Sequence, residues 1–266
     1  MKRFYSQSVG VPAYEVAEYH PKSSDYALLI PIINEGARIG HELSRAQDAG
    51  VDRQVDIIIC DGGSTDGATA DEKLRAMGVR ALLVKKSAGK QGAQLRMGIS
   101  WALAQEYQGI VTIDGNDKDS IEDVSRFLQK LKEGYDFVQG SRFIKGGQAE
   151  NTPLIRYLAV RLLHAPIISL SARHWFTDTT NAYRAYSRRY LTDERVQPLR
   201  DIFQGYELLA YLSVRATQIG MRACEIPVRR SYPVSGATPT KIRSVRGNIE
   251  LFMVLLRNVM RRYHPA

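Results

Sequence analysis

The feature that most constrains the fold is a repeated alternation of apolar runs and amphipathic stretches between residues 26 and 140. Short β-branched runs, such as residues 57–60 and 110–113, are separated by helical stretches of about ten to fifteen residues. This alternation is typical of a mostly parallel sheet with helices on both faces. The runs are apolar almost without interruption, as expected of strands that are buried on both sides. The sequence therefore predicts an α/β fold.

Polar clusters follow three of the predicted strands. They are Asn34 and Glu35 after the first, Asp61, Ser64 and Asp66 after the second, and Asp114, Asn116 and Asp117 after the run at 110–113. Because the carboxyl ends of parallel strands lie at one edge of the sheet, we expect these side chains to converge. The last cluster is a candidate site for a metal–diphosphate group, since Mg²⁺ and Mn²⁺ take oxygen ligands. Local turns and helix caps are the alternative for each cluster.

The glycine-rich loop at residues 61–67 matches neither of the common phosphate-binding fingerprints. It lacks the Gly-Lys-[Ser/Thr] of a P-loop and the Gly-x-Gly-x-x-Gly of dinucleotide-binding folds. Its glycines, Gly63 among them, would let the backbone approach a flat or phosphorylated ligand, and Asp61 could accept from a base N–H. A tight turn capped by Ser64 or Asp66 is the alternative.

The formal net charge of +9 is concentrated near the C-terminal end of the sequence. Residues 215–266 contain ten Lys and Arg and two acids, a local excess of +8 (10 − 2). A basic tail suits an anionic partner such as phosphate, acidic lipid or nucleic acid, and a solvated basic face is the alternative. No recognisable nucleic-acid motif accompanies the charge, so we expect no nucleic-acid partner.

The termini and cysteines indicate a cytoplasmic protein. The N-terminus is basic but lacks the apolar core of a signal peptide. Two cysteines cannot form a disulfide framework, and Cys60 lies in an apolar run, where a buried thiol is expected. The most apolar stretch, residues 153–170, is interrupted by two arginines and a histidine, so no membrane span is predicted.

No linker divides the chain. The predicted organisation is an N-terminal extension (1–24), one domain (25–232), and a basic loop with a C-terminal amphipathic helix (233–266). The last helix, at residues 249–259, is a candidate for peripheral contact with an anionic membrane, which would place the protein at the inner face of that membrane. Such helices more often pack on their own domain.

Five motifs taken together resemble the family 2 glycosyltransferases of the GT-A fold. They are residues 29–35, the loop 61–67, the acidic turn from Asp114, Gly140-Ser141-Arg142, and residues 178–186. They occur in the family's order over residues 26–230, and the late strand at 225–228 is similar to the dolichyl- and polyprenyl-phosphate sugar transferases. The resemblance implies a Rossmann-like GT-A domain with a C-terminal helical appendage. It also implies inverting transfer of a sugar from a UDP- or GDP-sugar donor, assisted by Mg²⁺ or Mn²⁺.

The same resemblance implies roles for individual residues on the donor side. The implied donor-binding residues are Pro31, Asn34, Glu35, Asp61, Gly63, Ser64, Asp66, Lys90, Asp114 and Arg142. Asp114 and Asn116 stand where the family's Asp-x-Asp contacts the metal, and Asn116 is a departure, because an amide oxygen is a weaker ligand than a carboxylate. Asp117 or Asp119 could compensate. Lys118 stands where some relatives have a further metal ligand, and it could face phosphate instead.

On the acceptor side the resemblance implies a second catalytic residue besides Asp114. Asp178 falls where the family often has an acid near the acceptor, and it could be the general base for a hydroxyl acceptor. A lipid-phosphate acceptor is already anionic and would need no strong base. The implied acceptor or phosphate contacts are Arg142, Arg156, Glu207 and Lys241. Lys241 belongs to a loop, residues 233–241, that corresponds roughly to a segment closing over the donor in relatives.

A sugar nucleotidyltransferase is the second enzyme hypothesis. Such an enzyme also uses a Rossmann-like sheet and a metal, but it would need a Gly-rich loop with Arg or Lys directly after the first strand. Residues 31–35 contain no such loop. This absence favours the glycosyltransferase.

Overall fold

The computed structural model describes residues 2–6, 9–233 and 245–265. The strands are β1 (Lys2–Tyr5), β2 (Tyr14–Glu18), β3 (Tyr26–Ile32), β4 (Asp56–Asp61), β5 (Val79–Lys85), β6 (Gly109–Thr112), β7 (Phe137–Ser141), β8 (Gln148–Glu150), β9 (Arg184–Ser187), β10 (Ala223–Pro227) and β11 (Arg229–Ser231). The α-helices are α1 (Ala37–Asp48), α2 (Asp71–Ala76), α3 (Gln91–Ala104), α4 (Val124–Lys132), α5 (Leu154–Ala159), α6 (Ala165–Ala172), α7 (Arg188–Thr192), α8 (Glu207–Gln218) and α9 (Val245–Val259). A π-helical segment, Val160–His164, joins α5 to α6 in one continuous helix, Leu154–Ala172.

Within the described residues, a nine-stranded sheet with the order β1-β2-β5-β4-β3-β6-β9-β7-β10 forms the centre of the molecule. Strands β5, β4, β3 and β6 are parallel neighbours, and β7 pairs in parallel with β10. Strand β9 lies antiparallel between β6 and β7. The predicted mostly parallel sheet flanked by helices is confirmed.

The central strands are buried on both faces. In β3, Leu29 faces one hydrophobic core together with Trp101 of α3, and Leu28 faces the other together with Leu43 of α1. Successive side chains of a strand point to opposite faces, so burial on both sides requires an unbroken apolar run. All six residues of β4 are buried, including the thiol of Cys60.

Residues 1–24, predicted to be an extension, contribute two strands to the edge of the sheet. Strand β2 pairs antiparallel with β5, so that Val16 lies opposite Leu83. Val16 is 1% exposed and Tyr14 is 5% exposed. The apolar alternation in β2 is only a few residues long and lies in a polar segment, so the sequence did not indicate a strand.

The C-terminal helix α9 packs on α6 and α8. Val254 and Leu255 join the core, and the Asn258 side-chain amide donates to the Ala210 carbonyl at 2.8 Å. One face of α9 is therefore buried against the domain. Phe252 and Met253 remain 48% and 36% exposed.

The helix Leu154–Ala172 exposes a row of large apolar side chains. Leu154, Ile155, Leu162 and Leu170 are 70%, 85%, 72% and 82% exposed. By length and composition it is the one helix in the described ranges that is apolar enough to cross a membrane. No membrane span was predicted from the sequence here, because two arginines and a histidine interrupt the apolar stretch.

We predict that the N-terminal strands contribute to the stability of the domain. Val16→Ala should lower the free energy of unfolding by about 1–3 kcal/mol, because it removes buried methyl groups from the core. The matched control is Val9→Ala, since Val9 is fully exposed. Urea unfolding of the two variants measures the difference, and equal stabilities would mean that the N-terminal segment is not integral to the fold.

We also predict that stability depends on pH through Glu42. This side chain of α1 is fully buried, and one of its carboxyl oxygens accepts from the Asp117 N–H at 3.0 Å. Burial raises the pKa of Glu42 well above its usual range. A raised acid pKa means that the folded state binds the proton more tightly than the unfolded state, so stability is lost as pH rises above the unfolded pKa of about 4.3.

Glu42→Gln should therefore raise the Tm more at pH 8 than at pH 5. Glu72, which is exposed on α2, is the control for the same substitution. Thermal melts at both pH values measure the effect. A Tm gain for Glu42→Gln that does not grow with pH would contradict a neutral, buried carboxyl.

Candidate active site

The loops after β3 and β4 are locked to each other by hydrogen bonds. The Asn34 N–H donates to the Ser64 hydroxyl at 2.9 Å, and the Thr65 N–H donates to the Asn34 side-chain oxygen at 2.8 Å. The Gly36 N–H donates to the Asp66 carboxylate at 2.7 Å. The two polar clusters therefore meet at one edge of the sheet.

Three of the predicted donor-binding acids are engaged within these loops. Both oxygens of Asp61 accept from the Ser64 N–H at 3.0 Å, and one also accepts from the Ser64 hydroxyl at 2.6 Å. Asp66 accepts from the Gly36 N–H, so it fixes the start of α1. Glu35 pairs with Arg38 at 2.7 Å. These contacts shape the loops whether or not a ligand is present.

Gln94 of α3 connects the ends of the two strands from which these loops leave. Its side-chain amide donates to the carbonyls of Ile32 and Cys60 at 2.6 and 2.9 Å, which joins the ends of β3 and β4. Pro31 lies inside β3, opposite Cys60. Gly63 has a φ of +99°, a conformation that side chains with a Cβ rarely adopt, so this turn requires glycine.

Asp114 is held from two sides at the end of β6. The Gln91 side-chain amide donates to one of its carboxylate oxygens at 2.9 Å, and an Arg230 N–H donates to the other at 3.2 Å. Burial alone would raise the pKa of Asp114, but the charges of Arg230 and Lys118 lower it below its usual range. The side chain is 21% exposed. Asp114 is thus an ionised carboxylate that remains open to a ligand.

Asp117 and Asp119, the predicted compensating ligands, are both engaged elsewhere. Asp117 has a φ of +57° and turns toward α1, where its carboxylate contacts Arg45 at 2.6 Å and His41 at 2.9 Å. Asp119 is fully buried and accepts from Arg230. Both carboxylates are paired with cationic side chains, while the second oxygen of Asp119 is buried and has no hydrogen-bond partner, so a role for either of them in a metal shell stays a prediction.

A divalent cation fits beside Asp114 only with few protein ligands. The side-chain oxygen of Asn116 is buried and has no hydrogen-bond partner, and its amide lies 3.5 Å from Asp114. In the ranges that the structure describes, no group of three His, Cys, Asp or Glu side chains could hold a metal. Asp114 and Asn116 are therefore the protein ligands available to a cation there, and a bound diphosphate and water would supply the remaining oxygens.

Arg142 and Asp178 form a buried ion pair. The Arg142 Nε and Nη2 donate to the two Asp178 oxygens at 2.6 and 2.9 Å, and both side chains are almost fully buried. Burial opposes the charge on Asp178, but Arg142 lowers its pKa below the usual range. Asp178 fixes the orientation of Arg142, and neither of its oxygens is open to a ligand.

Positive side chains surround the ring of Tyr232. Arg156 donates to the Tyr232 hydroxyl at 3.0 Å, and the Lys118 ammonium lies 5.1 Å from the ring centre. Burial would raise the pKa of Tyr232, yet Arg230 and Arg156 lower it to about 8. Arg142 and Arg230 also act on the Tyr232 hydroxyl through their charges. We call the four positive side chains around Tyr232 the cationic cluster, and its members are Lys118, Arg142, Arg156 and Arg230.

The remaining predicted site residues lie around this centre. Lys90 pairs with Glu250 of α9 at 3.1 Å, directly before Gln91. Glu207 accepts from the Gly205 N–H at 2.6 Å at the start of α8. Lys241 lies outside the described residues.

Three side chains that organise the site were not predicted from the sequence. Gln91 and Gln94 lie in the first turn of α3, and Arg230 is one of the ten basic residues near the C-terminal end. Their roles depend on contacts between distant segments. One local signal could have indicated Gln91. It directly follows the predicted donor-binding residue Lys90, in the sequence Gly89-Lys90-Gln91-Gly92 at the start of a helix.

The sequence is similar to known proteins over most of its length. The family model for Glycosyl transferase family 2 matches residues 27–194, more than half of the chain. The chain is 30% identical over 222 residues to polyprenol monophosphomannose synthase of Mycolicibacterium smegmatis, covering 81% of this chain and 82% of that protein. It is 29% identical over 207 residues to dolichyl-phosphate hexose transferase of Haloferax volcanii, covering 77% and 82%.

A solved structure shows the same fold. Glucosyl-3-phosphoglycerate synthase from Mycobacterium tuberculosis, crystallised with Mn²⁺, UDP and phosphoglyceric acid, superposes with a TM-score of 0.60 at 18% identity, covering 88% of this chain and 78% of that one. The resemblance to the polyprenyl-phosphate sugar transferase branch is confirmed by the names of the relatives. The chain belongs to glycosyl transferase family 2 and is a GT-A hexosyltransferase that uses a nucleotide-sugar donor.

Proposed function

We propose that this enzyme transfers a hexose from a UDP- or GDP-sugar to a lipid-linked phosphate, with inversion at the anomeric carbon. The observation that carries the proposal is the cationic cluster. Three of its members are buried and Arg156 is half-buried, and Arg230 lies 3.2 Å from the ionised Asp114. A site that receives two phosphate-bearing substrates needs more positive charge than one that receives a neutral sugar acceptor. The relatives named for polyprenol phosphate and dolichyl phosphate support a lipid-phosphate acceptor.

The donor would lie across the loops after β3 and β4, with its diphosphate beside Asp114. Asn34, Asp61 and Ser64 shape these loops, and the glycine turn lets the backbone approach the nucleoside. Mg²⁺ or Mn²⁺ held by Asp114 and Asn116 would neutralise charge on the leaving diphosphate. The mycobacterial structure, which has the same fold, contains Mn²⁺ and UDP, and this supports a divalent cation and a nucleotide-sugar donor for this enzyme.

The acceptor phosphate would bind to Arg142 and Arg156. A guanidinium donates to phosphate oxygens, and both side chains are held in place, Arg142 by Asp178 and Arg156 by Tyr232. Because Asp178 occupies the Nε and Nη2 of Arg142, the Nη1 of Arg142 would donate to the phosphate. A phosphate oxygen would attack the anomeric carbon, the bond from that carbon to the diphosphate oxygen would break, and the electron pair would leave with the nucleoside diphosphate. One displacement inverts the configuration.

This chemistry changes the role that we assign to Asp178. The attacking phosphate oxygen carries no proton, so no general base is required. A carboxylate whose two oxygens both hold Arg142 suits a positioning role. We therefore propose that Asp178 orients Arg142 toward the acceptor.

The exposed face of Leu154–Ala172 supports attachment to a membrane that contains the acceptor lipid. This helix presents Leu154, Ile155 and Leu162 to solvent and also carries Arg156 of the acceptor site. Apolar side chains beside basic ones are typical of helices that lie in an anionic lipid interface. We propose that this helix, rather than the C-terminal one, makes the principal contact with the inner face of the membrane.

We predict that Asp114→Asn lowers sugar transfer by at least about 100-fold, because the amide cannot supply the negative charge that the site requires. Release of nucleoside diphosphate, measured over a panel of UDP- and GDP-sugars with a short-chain polyprenyl phosphate, tests this. Asp48→Asn, on the exposed side of α1, is the control. Turnover of Asp114→Asn within tenfold of the wild type would refute the site assignment.

We predict that Ile155→Glu and Leu162→Glu each weaken binding to vesicles of phosphatidylglycerol by about tenfold, since burying one large aliphatic side chain contributes about 1.5–3 kcal/mol. Ile202→Glu is the control, because Ile202 is also exposed but lies outside this helix. Co-sedimentation at physiological salt measures the bound fraction. If both helix variants sediment like the wild type, this membrane contact does not exist.

A further inference from the structure

The backbone fixes the segment that carries Arg230 against the acidic turn. The Ser231 N–H donates to the Lys118 carbonyl at 2.8 Å, and the Ser120 N–H donates to the Arg229 carbonyl at 3.1 Å. Asp119 and Arg230 face each other in an isolated antiparallel bridge. Arg230 is therefore placed by main-chain pairing as well as by the attraction between side chains.

The Arg230 guanidinium lies between a buried carboxylate and a partly exposed one. One terminal nitrogen donates to Asp119, which is fully buried, and the other lies 3.2 Å from Asp114, which is 21% exposed. Asp119 alone would neutralise the guanidinium. The contact with Asp114 places part of the positive charge at the solvent-accessible edge of the site. An ion pair with a purely structural role would not require this second contact.

We propose that Arg230 is a further catalytic residue, which contacts the leaving diphosphate and carries part of the positive charge that stabilises it. This rests on the proposed function, because it requires a diphosphate bound beside Asp114. The guanidinium can keep its bond to Asp119 through Nη1 and present Nη2, which lies beside Asp114, to phosphate oxygens. It also competes with a divalent cation for Asp114.

The charges of the site agree with this role. The cationic cluster contributes four positive charges, and the carboxylates that contact it are Asp114, Asp119 and Asp178, which leaves a formal charge of +1 (4 − 3). A divalent cation that binds to Asp114 would meet the positive charges of Arg230 and Lys118 beside that carboxylate. We therefore infer that the cation binds weakly here and that nucleotide binding persists in its absence.

The test compares the wild type with Arg230→Met, which keeps the length of the side chain and removes its charge. Calorimetry in EDTA measures the binding of UDP and GDP, and electron paramagnetic resonance measures the binding of Mn²⁺ without nucleotide. We expect Arg230→Met to weaken nucleotide binding in EDTA at least fivefold and to strengthen Mn²⁺ binding at least fivefold. Arg229→Met, whose side chain is about half exposed, should change neither quantity.

Removing Arg230 alone leaves Asp119 buried without its partner, which can prevent folding. The double variant Arg230→Met/Asp119→Asn keeps the pair neutral and is evaluated by the same two measurements. A change of less than fivefold in either affinity overturns the role of Arg230. If the wild type binds neither nucleotide even with Mn²⁺, the proposed function fails, and this inference fails with it.

Discussion

Burial of the parallel strands on both faces is the constraint on which the rest of this structure depends. Between its two terminal aspartates, β4 carries only apolar side chains and the thiol of Cys60, and the polar residues of each strand–helix connection are gathered at the carboxyl edge. There they must be paired. Asp61 is paired with Ser64, Asp114 with Gln91 and Arg230, and Asp178 with Arg142. The candidate active site is thus the part of the sheet's carboxyl edge where a paired group, such as Asp114, still exposes an atom that a ligand can contact.

The sequence predicted the strands that are apolar throughout and the meeting of the three polar clusters, because both follow from local composition and the geometry of a parallel sheet. It did not predict β2, whose apolar alternation is short. Nor did it predict which acids remain available to a ligand. Asp117 and Asp119 are close neighbours of Asp114 in sequence, yet one turns to Arg45 on α1 and the other to Arg230 on β11. Arg45 lies more than 70 residues from Asp117, and Arg230 lies more than 100 residues from Asp119, so no local sequence pattern predicts these pairs.

Buried charges explain why these distant segments stay together. Removing one partner of a buried ion pair costs about 3–5 kcal/mol, because the remaining charge is left without compensation. The pairs Arg142–Asp178 and Arg230–Asp119 therefore hold the loop before β9 and the strand β11 against the rim. The same pairs keep the guanidinium groups oriented before any substrate arrives. Preorganised charge of this kind stabilises a transition state without reorganisation during the reaction.

The positive excess of the site and the burial of Asp178 have one common explanation in the acceptor. A hydroxyl acceptor must lose a proton, which would require an accessible base near Arg142, and the carboxylate at that position is fully buried and engaged. An anionic phosphate acceptor needs the opposite, namely cations that offset the repulsion between its charge and that of the donor diphosphate. Arg142 and Arg156 lie where the acceptor would bind, and Arg230 and Lys118 lie beside Asp114, where the donor would bind. Two anionic substrates, as proposed, would account for the positive charge and for the absence of an accessible base near Arg142. A lipid-linked acceptor would also account for the exposed apolar side chains on the helix that carries Arg156.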